Sequence, residues 1–395
     1  MPHSAQRVLF LTHDCPFPPI GAPKLREATL LRILSERMEV ELLCFRQPGL
    51  SIELADVPKN VKVTFLHREK MSIWKRVLAP TRPFRQSGFS SVMAEALKNR
   101  STPGKILWIS RLSMAQYVPL GRTLGFRVIL DAHSAQSSTM MDTALSDLRK
   151  WPTIVKAAQF AYFEGKSCAG ADLVVVASEI DASRIHKLGT HCPVHVIPHV
   201  LDSSLYHHLR SHSGAGLLFW ANLLEKANVE GLEWFSSQIM PRMKASLQEN
   251  TPKITVAATE AIADSEKDRL EALGFTIQQN LRSIEPLLSE SAIVFIPLRS
   301  RASSQLKILE AMAAGRPVVT TGLGAEGLTL KPTYDVFIAD QEDAYTSAIL
   351  RLLRDPELRA KIGANAIRTV DENYDWRSAR PLVDHAIETA KNVLQ

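Results

Sequence analysis

Residues 293–319 read IVFIPLRSRASSQLKILEAMAAGRPVV and contain two apolar runs on either side of an amphipathic stretch. The apolar run Ile293–Pro297 predicts a buried strand, and Ser303–Ala314 has the apolar spacing of a helix. A second apolar run, Pro317–Thr320, follows directly. A strand, a crossover helix and another strand form the βαβ unit of a parallel sheet. The stretch therefore predicts an α/β fold.

The same alternation of apolar runs and amphipathic stretches extends over nearly the whole chain. Strands are predicted at Arg7–Thr12, Val40–Phe45, Val61–Leu66, Ile106–Ile109, Arg127–Leu130 and Leu173–Ala177, and again at Gly216–Trp220, Ile254–Ala258 and Phe275–Gln278. Two sets of similar size predict two doubly wound, Rossmann-like domains, in which ligands bind beyond the carboxyl ends of the strands. The predicted parts are a first domain over 1–202, a histidine-rich linker over 203–214, a second domain over 215–372, and a C-terminal helix within 373–395 that crosses back to the first domain.

The charge, the cysteines and the apolar runs of the chain indicate which partners it binds and in which compartment it lies. The net charge of +6 and the pI near 9.1 suit acidic partners, namely nucleotide phosphates, anionic lipids or nucleic acid. Nucleic acid is the weakest of these and is not expected as a partner, since no nucleic-acid-binding motif is present. Four scattered cysteines indicate reduced thiols. Without a signal segment or an apolar run of about 20 residues, a cytoplasmic protein is expected, at most peripheral at the inner face of the membrane.

One segment interrupts the α/β pattern. Residues 70–85, KMSIWKRVLAPTRPFR, interleave apolar and basic side chains. Such a segment is either a solvated excursion packed on the first domain or an element that contacts an anionic membrane surface or a lipid-linked acceptor. The sequence leaves both interpretations open.

The loop and helix after Ile293–Pro297 carry candidate binding residues. Free backbone amides at Ser303, Ser304 and Gln305, together with the helix dipole, would bind a diphosphate, and Arg299 could add charge. Glu310 lies about two helical turns further on. Its carboxylate could accept hydrogen bonds from both hydroxyls of a ribose.

The sequence motif in this region is more specific than the strand–loop–helix pattern alone. Residues 297–328, PLRSRASSQLKILEAMAAGRPVVTTGLGAEGL, resemble the nucleotide-sugar site of glycosyltransferase family 4, the retaining enzymes of the GT-B fold. The resemblance implies two Rossmann-like domains that face each other across a cleft. It also implies a donor-binding role for Lys307, which matches the lysine of the family pattern, and for Glu310.

Other segments resemble the same family. Residues 8–34, VLFLTHDCPFPPIGAPKLREATLLRIL, look like its first strand, glycine loop and first helix. This implies donor contacts at Gly21 and Ala22, and acceptor contacts at Lys24 and Arg26. Residues 217–241 resemble the opening of the family's second domain and imply that Lys226 contacts the donor phosphates.

A histidine follows a predicted strand of the first domain in residues 127–138, RVILDAHSAQSS. The family often places a histidine under the sugar ring here, which implies a catalytic role for His133. Asp131, on the same turn, is the alternative polar group.

The resemblance implies transfer of a sugar from a nucleoside-diphosphate sugar to a hydroxyl of a glycan or glycolipid, with retention. Within the family, the sequence most resembles a subgroup associated with exopolysaccharide and surface-polymer assembly. No cluster of metal-ligating residues is evident, so neither a metal nor another cofactor is expected. Ala22, Asn222 and Ala302 replace usual family residues. They leave two alternatives: a nucleotide-sugar-binding regulatory protein that has lost activity, or a sugar-nucleotide epimerase or hydrolase.

Overall fold

The protein is described by a computed structural model. Its described residues are 7–19, 21–46, 57–67, 89–145, 151–210, 214–281, 283–301 and 305–392. The chain divides into two compact units. Unit 1 comprises Met1–Pro198 with Arg377–Gln395, and unit 2 comprises His199–Trp376.

Unit 1 is built on a parallel sheet. Its strands are β1 (Arg7–Asp14), β2 (Glu39–Phe45), β3 (Val61–Leu66), β4 (Ile106–Ser110), β5 (Arg127–His133), β6 (Leu173–Val176) and β7 (Val194–Val196). Within the described residues the strand order is β3-β2-β1-β4-β5-β6-β7, and every neighbouring pair is parallel. The helices are α1 (Ala22–Ser35), α2 (Ser91–Lys98), α3 (Val118–Thr123), α4 (Gln136–Leu145), α5 (Trp151–Ala169) and α6 (Glu179–Lys187).

Unit 2 repeats the architecture. Its strands are β8 (Gly216–Ala221), β9 (Ile254–Ala258), β10 (Thr276–Gln278), β11 (Ser291–Ile296), β12 (Val318–Thr320) and β13 (Phe337–Ile338). Their order in the part of the chain that the structure describes is β10-β9-β8-β11-β12-β13, again all parallel. The helices are α7 (Lys226–Trp234), α8 (Met240–Leu247), α9 (Asp264–Ala272), α10 (Glu285–Glu290), α11 (Gln305–Ala313), α12 (Glu342–Arg354) and α13 (Pro356–Asn373). A last helix, α14 (Trp376–Asn392), lies almost wholly in the segment that belongs to unit 1.

Burial explains why these segments are strands. Every residue of β4 and every residue of β11 is buried, as expected for central strands covered by helices on both faces. Helices must then approach the sheet closely. At Gly231 of α7, a Cβ atom would lie 2.6 Å from the carbonyl oxygen of Pro297.

The strand order locates the ligand-binding edge of each unit. Each sheet reverses its winding direction once, between β1 and β4 in unit 1 and between β8 and β11 in unit 2. Ligands of such sheets bind outside the carboxyl ends of the strands at this switch point.

The two Rossmann-like parallel-sheet domains predicted from the sequence are confirmed. The histidine-rich stretch predicted as a linker includes a 3₁₀ helix, Ser203–Leu209, which belongs to unit 2. Residues 211–213 and the basic segment 70–85 lie outside the described residues. Within the described part of the chain, the helices are all too short or too polar to cross a membrane.

Candidate functional site

His133 lies at the carboxyl end of β5, beside the switch point of unit 1. Its backbone has a φ of 63°, the left-handed conformation that non-glycine residues rarely adopt. Its side chain is 12% exposed, and its Nε2 atom lies 2.9 Å from the Oγ atom of Ser110 at the end of β4. The imidazole is therefore held at the edge where a ligand of this fold binds.

Asp131 and Arg26 form a buried ion pair behind His133. Arg26 donates to Asp131 Oδ1 at 3.0 Å and to the carbonyl oxygen of Ile197 at 2.9 Å. Its side chain is 2% exposed, and that of Asp131 is fully buried. This geometry favours a positioning role for both residues over contact with an acceptor or with a reacting atom.

The charges around His133 determine its protonation. Burial lowers the pKa of His133 to about 4, although the carboxylate of Asp131 opposes this change. For Asp131, burial favours the neutral acid, but Arg26 and His133 together lower its pKa. Near neutral pH the site therefore holds a neutral imidazole beside an ionised carboxylate.

Two further carboxylates hold the loop after His133. Asp181 on α6 accepts a hydrogen bond from the Ala135 amide at 3.0 Å. Glu164 on α5 accepts bonds from the amides of Gln136 and Ser137, at 3.0 and 3.1 Å. Acidic groups at the first turn of a helix also interact favourably with its dipole. The start of α4 is thus fixed from two sides.

The glycine loop precedes α1 in the same unit. Gly21 has φ 86° and ψ 152°, a conformation that is essentially restricted to glycine, and its carbonyl oxygen accepts from the Leu25 amide at 3.0 Å. Ala22 begins α1, and Lys24 is half-exposed on the first turn. The sequence requires glycine here to turn the chain into the helix.

Glu310 on α11 is the central candidate in unit 2. Its Oε1 atom accepts a hydrogen bond of 2.9 Å from the hydroxyl of Tyr206. Burial raises the pKa of Glu310 to about 7, opposed by Tyr206, Lys307 and Trp220. Burial also lowers the pKa of Lys307 to about 8. Both residues are partly buried and keep some exposed surface.

The arginines of the loop after β11 are paired within unit 2. Arg299 stacks on Trp234, with 4.8 Å from its guanidinium carbon to the ring centre, and donates to the Asp340 carbonyl at 2.8 Å. Arg301 makes two hydrogen bonds of 3.1 Å to the carboxylate of Glu326. In this structure both arginines thus interact with other residues of unit 2.

Of the three predicted amide donors, the structure describes Gln305. The helix α11 begins at Gln305, whose side chain donates to the carbonyl oxygen of Glu326 at 2.9 Å. Ser303 and Ser304 lie outside the described residues.

Lys226 begins α7 and is 82% exposed. Its Nζ atom lies 2.8 Å from Glu230, which also accepts from the hydroxyl of Ser300 at 2.9 Å. Glu230 thus connects Lys226 to the loop after β11. A lysine at a helix N-terminus adds to the positive end of the dipole, an arrangement that suits an anion.

The residues that surround His133 and Glu310 were not predicted from the sequence. Glu27, Ser110 and Arg111 form the network beside His133, and Tyr206 contacts Glu310. Glu27 is an acidic residue in an amphipathic helix, a pattern that usually indicates a solvated face. Tyr206 lies in the stretch that was predicted as a linker. The one available signal was the position of Ser110, which directly follows the apolar run Ile106–Ile109 and therefore lies at the end of a predicted strand.

Comparison with known proteins shows what the second unit and the fold resemble. Residues 214–355 match the family model described as glycosyl transferases group 1. An uncharacterized 44.6 kDa protein from the cps region of Klebsiella pneumoniae is 26% identical over 167 residues, which span 40% of this chain and 42% of that protein. The match thus covers less than half of that relative's length.

Solved structures share the fold over almost the whole chain. Sucrose-phosphate synthase from Thermosynechococcus elongatus matches with a TM-score of 0.74 and 16% identity, covering 97% of this chain and 98% of that one. HepE from Anabaena, solved in complex with UDP and glucose, matches with a TM-score of 0.68 and 14% identity, covering 97% and 99%. The fold and the match over unit 2 together support a glycosyltransferase with the GT-B fold.

Proposed function

We propose that this protein transfers a sugar from a nucleoside-diphosphate sugar to a hydroxyl of a glycan or lipid-linked acceptor. The observation that carries the proposal is the carboxyl of Glu310 in unit 2. It lies on the helix that follows β11, is partly exposed, and has a pKa raised to about 7. Tyr206 and Trp220 already hydrogen-bond to this carboxyl, and the two hydroxyls of a ribose would supply further donors to its ionised form.

The donor diphosphate would lie against the loop after β11 and the first turn of α11. Lys226 and the amides at Ser303, Ser304 and Gln305 would stabilise negative charge as it develops on the departing diphosphate. Lys307 would add charge at the same helix, and Arg299 would contribute after leaving the Asp340 carbonyl. A donor-binding role for Gly21 and Ala22 rests on the family resemblance of residues 8–34.

In the reaction, the bond between the anomeric carbon and the diphosphate oxygen breaks, and the diphosphate keeps the electron pair. The acceptor oxygen bonds to the anomeric carbon, and its proton passes to an oxygen of the departing diphosphate. His133, neutral near pH 7, would make an uncharged hydrogen bond to the sugar, while Asp131 and Arg26 hold its surroundings. Lys24 would contact the acceptor.

Several finer features belong to the same proposal. Retention and membership of family 4 rest on the family resemblance of residues 297–328. Surface-polysaccharide assembly is favoured by the resemblance to the cps-region protein of Klebsiella pneumoniae. Catalysis without a metal, and attachment of segment 70–85 to an anionic membrane at the cytoplasmic face, complete the proposal.

Product analysis tests this function against its alternatives. The protein is incubated with UDP-, GDP-, ADP- and dTDP-glucose, each with and without a membrane extract that contains lipid-linked glycans. We expect one donor to release its nucleoside diphosphate and to transfer glucose only when the extract is present. Turnover without acceptor would indicate an epimerase or hydrolase, and binding of a donor without turnover would indicate a regulatory protein.

A further inference from the structure

Glu27 of α1 is fully buried and lies at the centre of a hydrogen-bond network in unit 1. Its Oε1 atom accepts from Thr12 Oγ1 at 2.6 Å, Ser110 Oγ at 2.9 Å and Arg111 Nε at 2.7 Å. Its Oε2 atom accepts from a terminal nitrogen of Arg111 at 2.7 Å. An ionised carboxylate only accepts hydrogen bonds, so each of these partners must donate.

This requirement determines the direction of the next hydrogen bond. The hydroxyl of Ser110 has one hydrogen, which it donates to Glu27. Its oxygen can then only accept from His133 Nε2, 2.9 Å away. In the reverse arrangement the hydrogen of Ser110 would point to His133, and two oxygen lone pairs would face each other at 2.9 Å.

The other charges around the ring favour the same arrangement. Asp131 Oδ2 lies 3.7 Å from His133 Nε2 and attracts a hydrogen on that nitrogen. The ring is neutral near pH 7, because burial lowers its pKa to about 4. With one hydrogen, placed on Nε2, the Nδ1 atom carries a lone pair.

The backbone keeps the network in place. Arg111 and His133 both have positive φ values, 73° and 63°, and the ψ of 143° brings Arg111 close to the conformation of Gly21. Such non-glycine residues cost of order 1–3 kcal/mol and are found mostly at functional sites. The Arg111 amide donates to the Asp131 carbonyl at 2.9 Å, and the Ala177 amide donates to the His133 carbonyl at 3.0 Å.

We propose that Glu27 and Ser110 are positioning residues that hold His133 as its Nε2–H tautomer and present Nδ1 as an acceptor to a hydroxyl of the substrate sugar. The choice of hydroxyl rests on the proposed function, whereas the tautomer is a property of the protein alone. Because Nδ1 would accept a hydrogen bond, it would favour a sugar with a hydroxyl at the contacted position. A sugar whose group at that position can only accept a hydrogen bond would bind less well.

Nuclear magnetic resonance of the ¹⁵N-histidine-labelled full chain tests the tautomer without substrate. Signals of His133 are assigned by their loss in His133→Gln. We expect a protonated-type nitrogen at Nε2 and an unprotonated-type nitrogen at Nδ1. Ser110→Ala should produce a mixture of tautomers, and Glu27→Gln should favour Nδ1–H, because the new amide can donate to Ser110.

Ser35→Ala is the matched control, since this buried hydroxyl of α1 donates only to the carbonyl of Arg32 among the described residues. It should leave the His133 signals unchanged. A hydrogen on Nδ1 in the parent protein, or an unchanged tautomer in folded Ser110→Ala, would overturn the proposal.

Kinetics separate this proposal from the proposed function. In Ser110→Ala we expect kcat to fall about tenfold, or ~1.4 kcal/mol, while nucleotide affinity is retained. A mixed tautomer with unchanged kcat would contradict the role of Nδ1. The predicted tautomer in a protein that turns over no donor would instead contradict the glycosyltransferase function and leave the assignment of the tautomer intact.

Discussion

Burial in the folded protein disfavours the ionised form of Glu310. Because its pKa in the folded chain is about 7, against an ordinary value of 4.5, ionisation costs stability as the pH rises between these values. The cost is roughly 3 kcal/mol at most. A ligand that donates hydrogen bonds to the carboxylate would offset it, which is a physical reason to associate Glu310 with nucleotide binding.

Tyr206→Phe should shift the pH dependence of nucleotide binding. The hydroxyl donates to Glu310 and favours its ionised form, so its loss should raise the pKa of Glu310. Since a hydrogen bond to a charged group is worth ~1.5–3 kcal/mol, the pH at which affinity reaches its half-maximum should rise by about one to two units. Calorimetric titration of UDP, GDP and ADP between pH 5.5 and 9 measures this shift.

Tyr345→Phe provides the control for this variant. The Tyr345 hydroxyl is also buried in unit 2 but donates to the carbonyl of Val319 at 2.9 Å. Its loss should reduce stability without moving the pH profile. Identical profiles for both variants would mean that Tyr206 contributes to packing only.

At the level of elements, one arginine connects three parts of unit 1. Arg26 extends from α1 to Asp131 on β5 and to the carbonyl of Ile197 just after β7. Arg26→Met should reduce the free energy of unfolding by ~3–5 kcal/mol, because Asp131 would remain as an unpaired buried charge. Urea unfolding, followed by circular dichroism, measures the loss.

The double variant Arg26→Met with Asp131→Asn tests the cause. Removing both charges should recover part of the lost stability. If the double variant is as unstable as the sum of the two single variants, the ion pair does not explain the effect.

The elements themselves were largely predictable from apolar runs. Val61–Leu66 was predicted with its observed bounds, and the strand predicted at Arg127–Leu130 extends to His133. The longer strand was missed because Asp131 interrupts the apolar pattern, although Arg26 pairs with it inside the core. Long-range pairs of this kind leave no local signal in a sequence.

At the scale of the whole molecule, the two sheets repeat one strand order, apart from the additional edge strand β7 in unit 1. His133 lies at the carboxyl end of β5, and Glu310 lies on the helix that follows β11. The family resemblance of residues 297–328 predicts a donor-binding role for Glu310, and this role stays a prediction. Glu27 had no comparable signal, since only the folded sheet brings it beside Ser110 and Arg111.

The most direct test of the central claim is titration of UDP, GDP, ADP and dTDP into the parent protein and into Glu310→Ala. We expect one nucleotide to bind the parent protein, and the variant to bind it ~1.5–3 kcal/mol more weakly, or roughly 10- to 150-fold, without loss of fold. Glu233→Ala, which removes an exposed ion pair to Arg269 in unit 2, should bind like the parent. Unchanged affinity in Glu310→Ala, or no binding of any nucleotide at millimolar concentration, would contradict a nucleotide-binding role for Glu310.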